Sequence, residues 1–320
     1  MATAAPLVSV VTATYNRPGV LAFAIKSVIA QTLPEWEMII VGDACTDDTE
    51  AVVASFGDKR VRFENLVVNF GEQSGPNNVG VGHARGRYIA YLNHDDLWFP
   101  DHLAHAVAAL EIGGNDLVFA PGVAVRPADL GSLENDPWRL GWSGRARDDG
   151  FYDPVITIAP ASTLVLSRDA AERIGPWRPA QECYAESSQD FLFRAWRQGL
   201  LMRRGPELSV LMFNSGERKG AYQKNTAHEQ AFFWQRLNDE MVGLRQTLLA
   251  LAPPPKKRRG FWRWSDVASK AVLRQMAVWG VSPREFRFRV ERGMRRGDYI
   301  KALRRRRGLP NSPAAERPER

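Results

Sequence analysis

Short apolar, β-branched runs alternate with segments of helical spacing along the first two thirds of the chain. Residues 7–13 form such a run, and after the turn-forming residues 16–19 the apolar positions Leu21, Ile25 and Val28 recur at helical spacing. The predicted strands are 7–13, 36–41, 60–64, 88–93, 115–125 and 162–166, and the clearest predicted helices are 100–110, 168–174, 189–198 and 226–251. Such alternation implies βαβ units and a mostly parallel sheet covered by helices.

Polar residues follow three of these strands at the point where each one ends. They are Thr14-Tyr15-Asn16, then Asp43, then Asn93-His94-Asp95-Asp96. In open α/β sheets, ligands bind outside the carboxyl ends of the strands. We therefore expect these side chains to meet at one edge of the sheet and to form a ligand site there.

The carboxylates among these residues suggest specific chemistry. Asp95 and Asp96 could bind Mg²⁺ or Mn²⁺, which prefer oxygen ligands and often use one or two carboxylates together with substrate phosphates; the alternative is that they cap the next helix. Asp43 could accept hydrogen bonds from a base or a ribose, or cap a helix. Asp190 could act as a general base, or simply place a negative charge at a helix N-terminus.

Composition favours a soluble protein in a reducing compartment. The chain has 320 residues, of which 44% are hydrophobic and 25% charged, and it contains only two cysteines, Cys45 and Cys183. No apolar run approaches the ~20 residues that span a bilayer, and the N-terminus does not resemble a secretory signal. Two cysteines cannot form a disulfide framework. The cytoplasm is the expected location.

Charge divides the chain into two regions. Beyond Ala252 there are 20 Lys and Arg against 6 Asp and Glu, whereas the rest has 23 basic and 30 acidic residues. Prolines 253–255 end the preceding predicted helix, so we place a domain boundary there. The expected organisation is a domain of residues 1–252, with halves of about 1–125 and 126–252, followed by a helical basic extension of residues 253–320, disordered beyond about residue 310.

The basic extension suggests contact with an anionic surface. Residues 256–259 are all basic and precede Phe261-Trp262-Arg263-Trp264, and basic residues beside tryptophans are typical of a membrane interface. The alternative is a solvated appendage. Nucleic acid is the less favoured partner, because no nucleic-acid-binding motif is present. We predict peripheral attachment to the cytoplasmic face of a membrane, with a ligand site that lies wholly before Ala252.

Several segments, in order, resemble the family 2 glycosyltransferases. The resemblance extends over roughly residues 6–200 and rests on residues 8–17, 27–32, 41–49 and 84–100, the last of which contains Asn93-His94-Asp95-Asp96. It implies a GT-A fold, which is a Rossmann-like three-layer α/β/α arrangement with a mostly parallel central sheet. It also implies an inverting transfer that uses a divalent metal, Mn²⁺ or Mg²⁺.

The resemblance also implies roles for individual residues. Thr14 and Tyr15 would line the nucleotide pocket, Asp43 would contact the base, Asp95 would bind the metal, and Asp190 would be the catalytic base, with Glu186 in reserve. The candidate nucleotide-sugar-binding residues are Thr14, Tyr15, Asn16, Arg17, Asp43, Asn78, Asn93 and Asp95, and Asp96 is a second candidate metal ligand.

The sequence departs from the family pattern at four places. Asn93 replaces the first Asp of the D-x-D pattern, and Gln189-Asp190 replaces its E-D pair. Gly42-Asp43 stands for the usual Asp-Asp, and Asn77-Asn78 for Arg-Asn. The leading hypothesis is a transferase that moves a sugar from a nucleotide diphosphate donor, expected to be a UDP-sugar, to a hydroxyl of a glycan or lipid-linked glycan. The alternative is a catalytically idle protein of the same fold that binds nucleotide sugars or scaffolds a membrane complex.

Overall fold

The computed structural model describes residues 5–126, 139–214, 222, 228–252 and 261–310, with the backbone alone for Arg126, Arg139, His228 and residues 261–267. Its core is a seven-stranded sheet in the order β10-β6-β9-β4-β1-β2-β3. These strands are β1 (Val8–Thr14), β2 (Trp36–Gly42), β3 (Val61–Asn65), β4 (Tyr88–Tyr91), β6 (Leu117–Phe119), β9 (Leu164–Ser167) and β10 (Met202–Arg204). Strands β1 to β4 pair in parallel, whereas β9 runs antiparallel to both β4 and β6.

Helices cover both faces of this sheet. Alternate residues of β1 point to opposite sides, so Val10 packs in one apolar cluster and Val11 in the other. The helices of this part are α1 (Pro18–Ile29), α2 (Thr49–Ala54), α3 (Ser74–His83), α4 (His102–Gly113), α5 (Arg168–Ile174) and α6 (Ser187–Arg197). The predicted three-layer α/β/α fold with a mostly parallel sheet is therefore confirmed.

A second, four-stranded sheet has the order β5-β11-β7-β8. Its strands are β5 (Leu97–Trp98), β7 (Gly122–Arg126), β8 (Arg139–Ser143) and β11 (Val210–Phe213). The strand predicted over residues 115–125 is thus two strands, β6 and β7, which belong to different sheets. Strand β8 pairs with β7 along its whole length, from Arg139 to Ser143.

Helix α7 (His228–Ala250), which is kinked at Glu240, packs against the second sheet. The basic extension then forms α8 (Phe261–Val278), α9 (Pro283–Val290) and α10 (Asp298–Arg306), which confirms its helical character. It packs against the preceding part of the chain: Arg274 Nε lies 2.7 Å from Asp153, and the Gly297 N–H donates to the Cys183 carbonyl at 3.0 Å.

Two sequence predictions fall partly outside the described residues. The proposed boundary at residues 252–253 adjoins residues 253–260, and the segment predicted to be disordered begins at about residue 310; both 253–260 and 311–320 lie outside them. Within the described ranges, no helix is long and apolar enough to cross a membrane.

Candidate functional site

A pocket opens at the carboxyl ends of β1, β2 and β4, where the sequence predicts a ligand site. We call it the strand-end pocket. Thr14 and Tyr15 from the end of β1, Asp43 after β2, and Asn93 and Asp95 after β4 line it. Its other lining residues are Ala13, Gly71, Glu72, Gln73, Pro76, His94, Ala180, Glu186, Ser187, Tyr222, Tyr299, Ile300, Leu303, Arg304, Arg307 and Leu309.

Hydrogen bonds from the backbone fix the position of Asp43 in the pocket lining. Its two carboxylate oxygens accept hydrogen bonds from the backbone N–H groups of Phe70 and Gly71 at 2.6 and 2.8 Å. The Asn69 side chain donates to the Asp43 carbonyl at 2.6 Å. Burial raises the pKa of the Asp43 carboxyl, and the two N–H groups oppose that rise. Each oxygen keeps a lone pair that can accept a further hydrogen bond from a ligand.

Asp95 follows the carboxyl end of β4 and faces the buried guanidinium of Arg17. Arg17 Nη1 is 3.3 Å from Asp95 Oδ2, and the Arg17 side chain is buried. The Gln230 side chain donates to the Asp95 carbonyl at 3.0 Å, so α7 also fixes this turn. The result is a partly exposed carboxylate with a defined orientation toward the pocket.

Asp96 has different surroundings from its neighbour and does not line the strand-end pocket. One carboxylate oxygen accepts from the Phe213 N–H at 2.9 Å, and the other accepts from the Asn93 amide at 3.0 Å and from the Ser162 hydroxyl. Burial, followed by the charge of Asp95, raises the pKa of Asp96 to about 7. Asp96 thus joins the end of β4 to β11, and Asn93 directs its amide toward Asp96.

The donor atoms present allow a limited metal site. In the described part of the chain, no group of three or more His, Cys, Asp or Glu side chains could hold a metal ion. Mg²⁺, however, often binds proteins through one or two carboxylates and takes its other ligands from waters and substrate phosphates. Asp95 fits that role, because it is a carboxylate in the pocket lining.

The two candidate bases occupy different positions. Asp190 is buried in α6, where it pairs with Arg178 at 3.1 Å and with Arg194 at 2.9 Å, and it does not line the strand-end pocket. Glu186, directly before α6, does line the pocket. Its carboxylate receives hydrogen bonds from Nε and Nη2 of Arg284 in α9, at 2.9 to 3.1 Å.

Three other candidate residues lie outside the pocket lining. Asn16 exchanges two hydrogen bonds with Thr46, and Asn78 exchanges two with the backbone of Trp177. Arg17 contacts two lining residues: its Nη1 is 3.3 Å from Asp95, and its guanidinium carbon is 5.2 Å from the centre of the Tyr222 ring. These side chains stabilise the loops that shape the site.

The extension contributes residues that sequence reasoning missed. Tyr299, Ile300, Leu303, Arg304 and Arg307 all line the strand-end pocket. The expectation that the site lies wholly before Ala252 was therefore wrong. The basic run 304–307 was the only sequence signal at this position, and it also fits a membrane-binding tail, so it could not reveal this packing.

Comparisons with known proteins agree with the arrangement. The sequence profile described as "Glycosyl transferase family 2" matches residues 9–175. An uncharacterized glycosyltransferase of Rickettsia typhi is 36% identical over 174 residues, which are 54% of this chain and 54% of that protein. The succinoglycan biosynthesis protein ExoO of Rhizobium meliloti is 36% identical over 135 residues, which are 42% of this chain but 37% of ExoO. The chain thus spans about half or less of the length of these relatives.

Solved structures share the fold at low identity. The S. aureus TarS structure in complex with UDP-GlcNAc has a TM-score of 0.54 at 17% identity, with 72% of this chain and 66% of that chain covered. A mannosyltransferase from Pyrobaculum calidifontis, solved with GDP-Man and Mn²⁺, has a TM-score of 0.52 at 16% identity, with 89% and 86% covered. The family profile covers more than half of the chain, and the strand-end pocket lies where its fold binds ligands: this protein belongs to the family 2 glycosyltransferases.

Proposed function

We propose that this protein transfers a sugar, with inversion, from a UDP-sugar to a hydroxyl of a glycan or lipid-linked glycan. The observation that carries the proposal is the convergence of Thr14, Tyr15, Asp43, Asp95 and Glu186 in one pocket at the strand ends. These residues come from three strands and from the segment before α6. They supply a nucleotide contact, a metal ligand and a base.

Asp43 is the proposed reader of the nucleotide base. A buried carboxylate that two backbone N–H groups hold in place can accept the N3–H of a uracil. Burial of Asp43 keeps water from competing for that bond. The uracil assignment draws support from relatives: TarS was solved with UDP, and an E. coli relative that is 31% identical over 104 residues is described as a UDP-Glc-dependent glucosyltransferase.

Asp95 is the residue that would hold a divalent metal together with the donor's diphosphate. When bound, Mn²⁺ or Mg²⁺ supplies positive charge that stabilises the leaving diphosphate. Arg17 Nη1 lies 3.3 Å from Asp95 Oδ2, so its charge attracts the Asp95 carboxylate and helps to orient it.

Glu186 is the proposed general base, in place of Asp190. Both carboxylates are paired with arginine, but Glu186 lines the pocket and Asp190 does not. Glu186 would remove the proton of the acceptor hydroxyl as the hydroxyl oxygen attacks the anomeric carbon. The bond to the diphosphate breaks on the opposite face, so the configuration inverts and no covalent enzyme intermediate forms.

A thermal-shift screen of nucleotide sugars tests the proposed donor. Ligands that bind only the folded state raise its apparent stability. We expect UDP-sugars with Mn²⁺ to raise the Tm of the wild-type protein. The increase should be smaller for Asp43→Asn, because the asparagine side chain has a single acceptor oxygen and cannot accept the two backbone N–H groups and the uracil N3–H together. A larger shift with GDP-sugars than with UDP-sugars would overturn the uracil assignment.

We also propose that the exposed side of the extension contacts an anionic membrane at its cytoplasmic face, near a lipid-linked acceptor. Trp279 is 72% exposed beside the exposed Val278, and Arg289 and Arg292 are exposed on the following segment. An exposed Trp with nearby cations suits the membrane interface. Binding of the protein to anionic vesicles should weaken in Trp279→Ser. Equal binding by the variant and by the wild type would contradict this contact.

A further inference from the structure

The extension places one face of α10 across the strand-end pocket. Tyr299, Ile300 and Leu303 line it, and so do Arg304, Arg307 and Leu309, which recur at helical spacing. The N-terminus of α10 is anchored to the catalytic part, since the Gly297 N–H donates to the Cys183 carbonyl at 3.0 Å. The neighbouring Arg305 and Arg306 are exposed on the other side. One run of four arginines thus has two members in the pocket and two in solvent.

Arg304 is built into the same loop that holds Asp43. Its side chain is buried, its Nη1 donates to the Gly71 carbonyl, and its Nε donates to the Pro310 carbonyl at 2.6 Å. The Gly71 N–H in turn donates to Asp43. Arg304 is therefore fixed next to the proposed base-reading carboxylate, with its charge facing the pocket.

Arg307 lies nearer to Asp95 and Tyr222. Its guanidinium carbon is 5.7 Å from the centre of the Tyr222 ring, and Asp95 and Asp96 attract its charge. Its Nε is buried and has no hydrogen-bond partner among the residues that the structure describes. A buried N–H without a partner is costly, and it is satisfied when a ligand oxygen reaches it.

The negative charge of the pocket must be balanced by cations before a diphosphate can bind. Four carboxylates, Asp43, Glu72, Asp95 and Glu186, line the pocket and would repel a diphosphate. Arg284 is occupied with Glu186, and Arg17 with Asp95. Of the described lining residues, Arg304 and Arg307 are the arginines. Guanidinium groups bind phosphate oxygens through two parallel N–H bonds, which a diphosphate can accept.

We propose that Arg304 and Arg307 of the extension bind the diphosphate of the nucleotide-sugar donor, so that the basic extension completes the donor site. This inference rests on the proposed function, because it assigns the ligand of the same pocket. Arg304 lies beside the base-reading Asp43, and Arg307 lies near Asp95. The two arginines share with the proposed metal the stabilisation of charge on the leaving group.

Calorimetric titration with UDP and with uridine separates phosphate binding from base binding. We expect Arg307→Ala and Arg304→Ala to raise the Kd for UDP by ~10–100-fold each, with or without Mn²⁺, since hydrogen bonds to charged groups are of that strength. Uridine, which has no phosphate, should bind these variants nearly as it binds the wild type. The matched controls are Arg305→Ala and Arg306→Ala, which remove the same charge from the exposed side of α10.

Three results would overturn the inference. They are unchanged UDP binding in both pocket variants, an equal loss of uridine binding, and tighter UDP binding, which would mean that α10 occludes the pocket. Arg304→Lys and Arg307→Lys guard against misfolding, because they keep a charge and should bind UDP more tightly than the alanine variants do. If the wild type binds no UDP, the proposed function fails. Titration with inorganic pyrophosphate then decides the arginine site alone: binding that requires Arg304 and Arg307 supports it, and no binding overturns it.

Discussion

Glu186 and Asp190 lie one helical turn apart, and each is paired with arginine, but only Glu186 lines the strand-end pocket. The carboxylate of Glu186 lines the strand-end pocket, whereas that of Asp190 is buried between Arg178 and Arg194. The sequence alone favoured Asp190, because it follows Gln189 where the family has its E-D pair. Spacing along a helix does not reveal that Arg178, from the segment before α6, will join Arg194 of the same helix in engaging Asp190. What separates the two carboxylates is access to the strand-end pocket, which depends on how the chain packs.

Replacing each carboxylate by the matching carboxamide should therefore affect a different property, turnover for Glu186 and stability for Asp190. Glu186→Gln keeps the size of the side chain but cannot accept the acceptor's proton, so turnover should fall by ~10²–10⁴ while UDP binding stays nearly unchanged. Asp190→Asn should instead lower the free energy of unfolding by ~1.5–3 kcal/mol, because two arginines lose their charged partner. Steady-state kinetics and urea unfolding measure the two effects. A large loss of turnover in Asp190→Asn with normal turnover in Glu186→Gln would return the role to Asp190.

Asp43 and Asp95 could be located from the sequence because each follows a strongly apolar strand. The strand-end rule needs only the strand positions, and these were clear. Arg304 could not be located in the same way. Its partner Gly71 is 233 residues away along the chain, and no local pattern encodes that contact.

At the scale of elements, apolar periodicity located the strands but not the sheets to which they belong. Residues 117–125 are continuously apolar or small, so the sequence predicts one strand over 115–125, yet the chain changes sheets between Phe119 and Gly122. Pro121 lies at this change, and proline cannot donate to a ladder hydrogen bond. Likewise, the sequence of β9 shows nothing of its antiparallel pairing, since a buried strand has the same composition in either direction.

The turn into β4 provides a test of this close packing. A Cβ on Gly86 would lie 2.6 Å from the Ser9 backbone nitrogen, near the start of the central strand β1, so backbone atoms would have to shift. We expect Gly86→Ala to lower the free energy of unfolding by ~1–3 kcal/mol through overpacking. In α3, a Cβ on Gly82 would meet nothing within 4 Å, so Gly82→Ala should raise stability by ~0.5–1 kcal/mol. Urea unfolding compares the two, and an equal effect of both substitutions would contradict the packing described.

At the scale of the whole molecule, two histidines, the buried His102 and the half-buried His94, limit the free energy of unfolding in acid. Burial, with a smaller contribution from His105, lowers the pKa of His102 to about 3, and burial lowers that of His94 to about 4. Below pH ~6.5 the unfolded chain takes up protons at these positions that the folded chain does not. The contribution of each histidine to the free energy of unfolding should therefore be fully present above pH ~6.5. It should fall below that pH, by up to ~1.4 kcal/mol per pH unit for each histidine.

The variant His102→Gln isolates one of these contributions. Between pH ~6.5 and ~5, its loss of unfolding free energy should be smaller than that of the wild type by up to ~2 kcal/mol. His83→Gln, a change on the surface, is the matched control. Urea unfolding at both pH values measures the difference. The same pH dependence in the wild type and in His102→Gln would show that His102 does not exclude the proton when folded.

The charge division of the chain was visible in the sequence, but its consequence was not. The extension was expected to be a separate membrane-binding appendage, and its helices instead pack on the catalytic part and line its pocket. Composition gives the number of basic residues in a segment. It does not show which of their side chains contact a neighbouring part of the chain. The exposed and the pocket-facing arginines of residues 304–307 have identical sequence signals.

Donor hydrolysis tests the central claim, nucleotide-sugar transfer at the strand-end pocket, most directly. In the absence of acceptor, the wild type should slowly release free UDP from a UDP-sugar in the presence of Mn²⁺, whereas a catalytically idle relative should not. Asp95→Asn should lower that rate by at least ~100-fold while the protein stays folded, because the residue lies at a strand end and would hold the metal. Asp48→Asn, which removes an exposed carboxylate, should keep the wild-type rate. Equal release by Asp95→Asn and the wild type, or no release from any nucleotide sugar, would contradict the account.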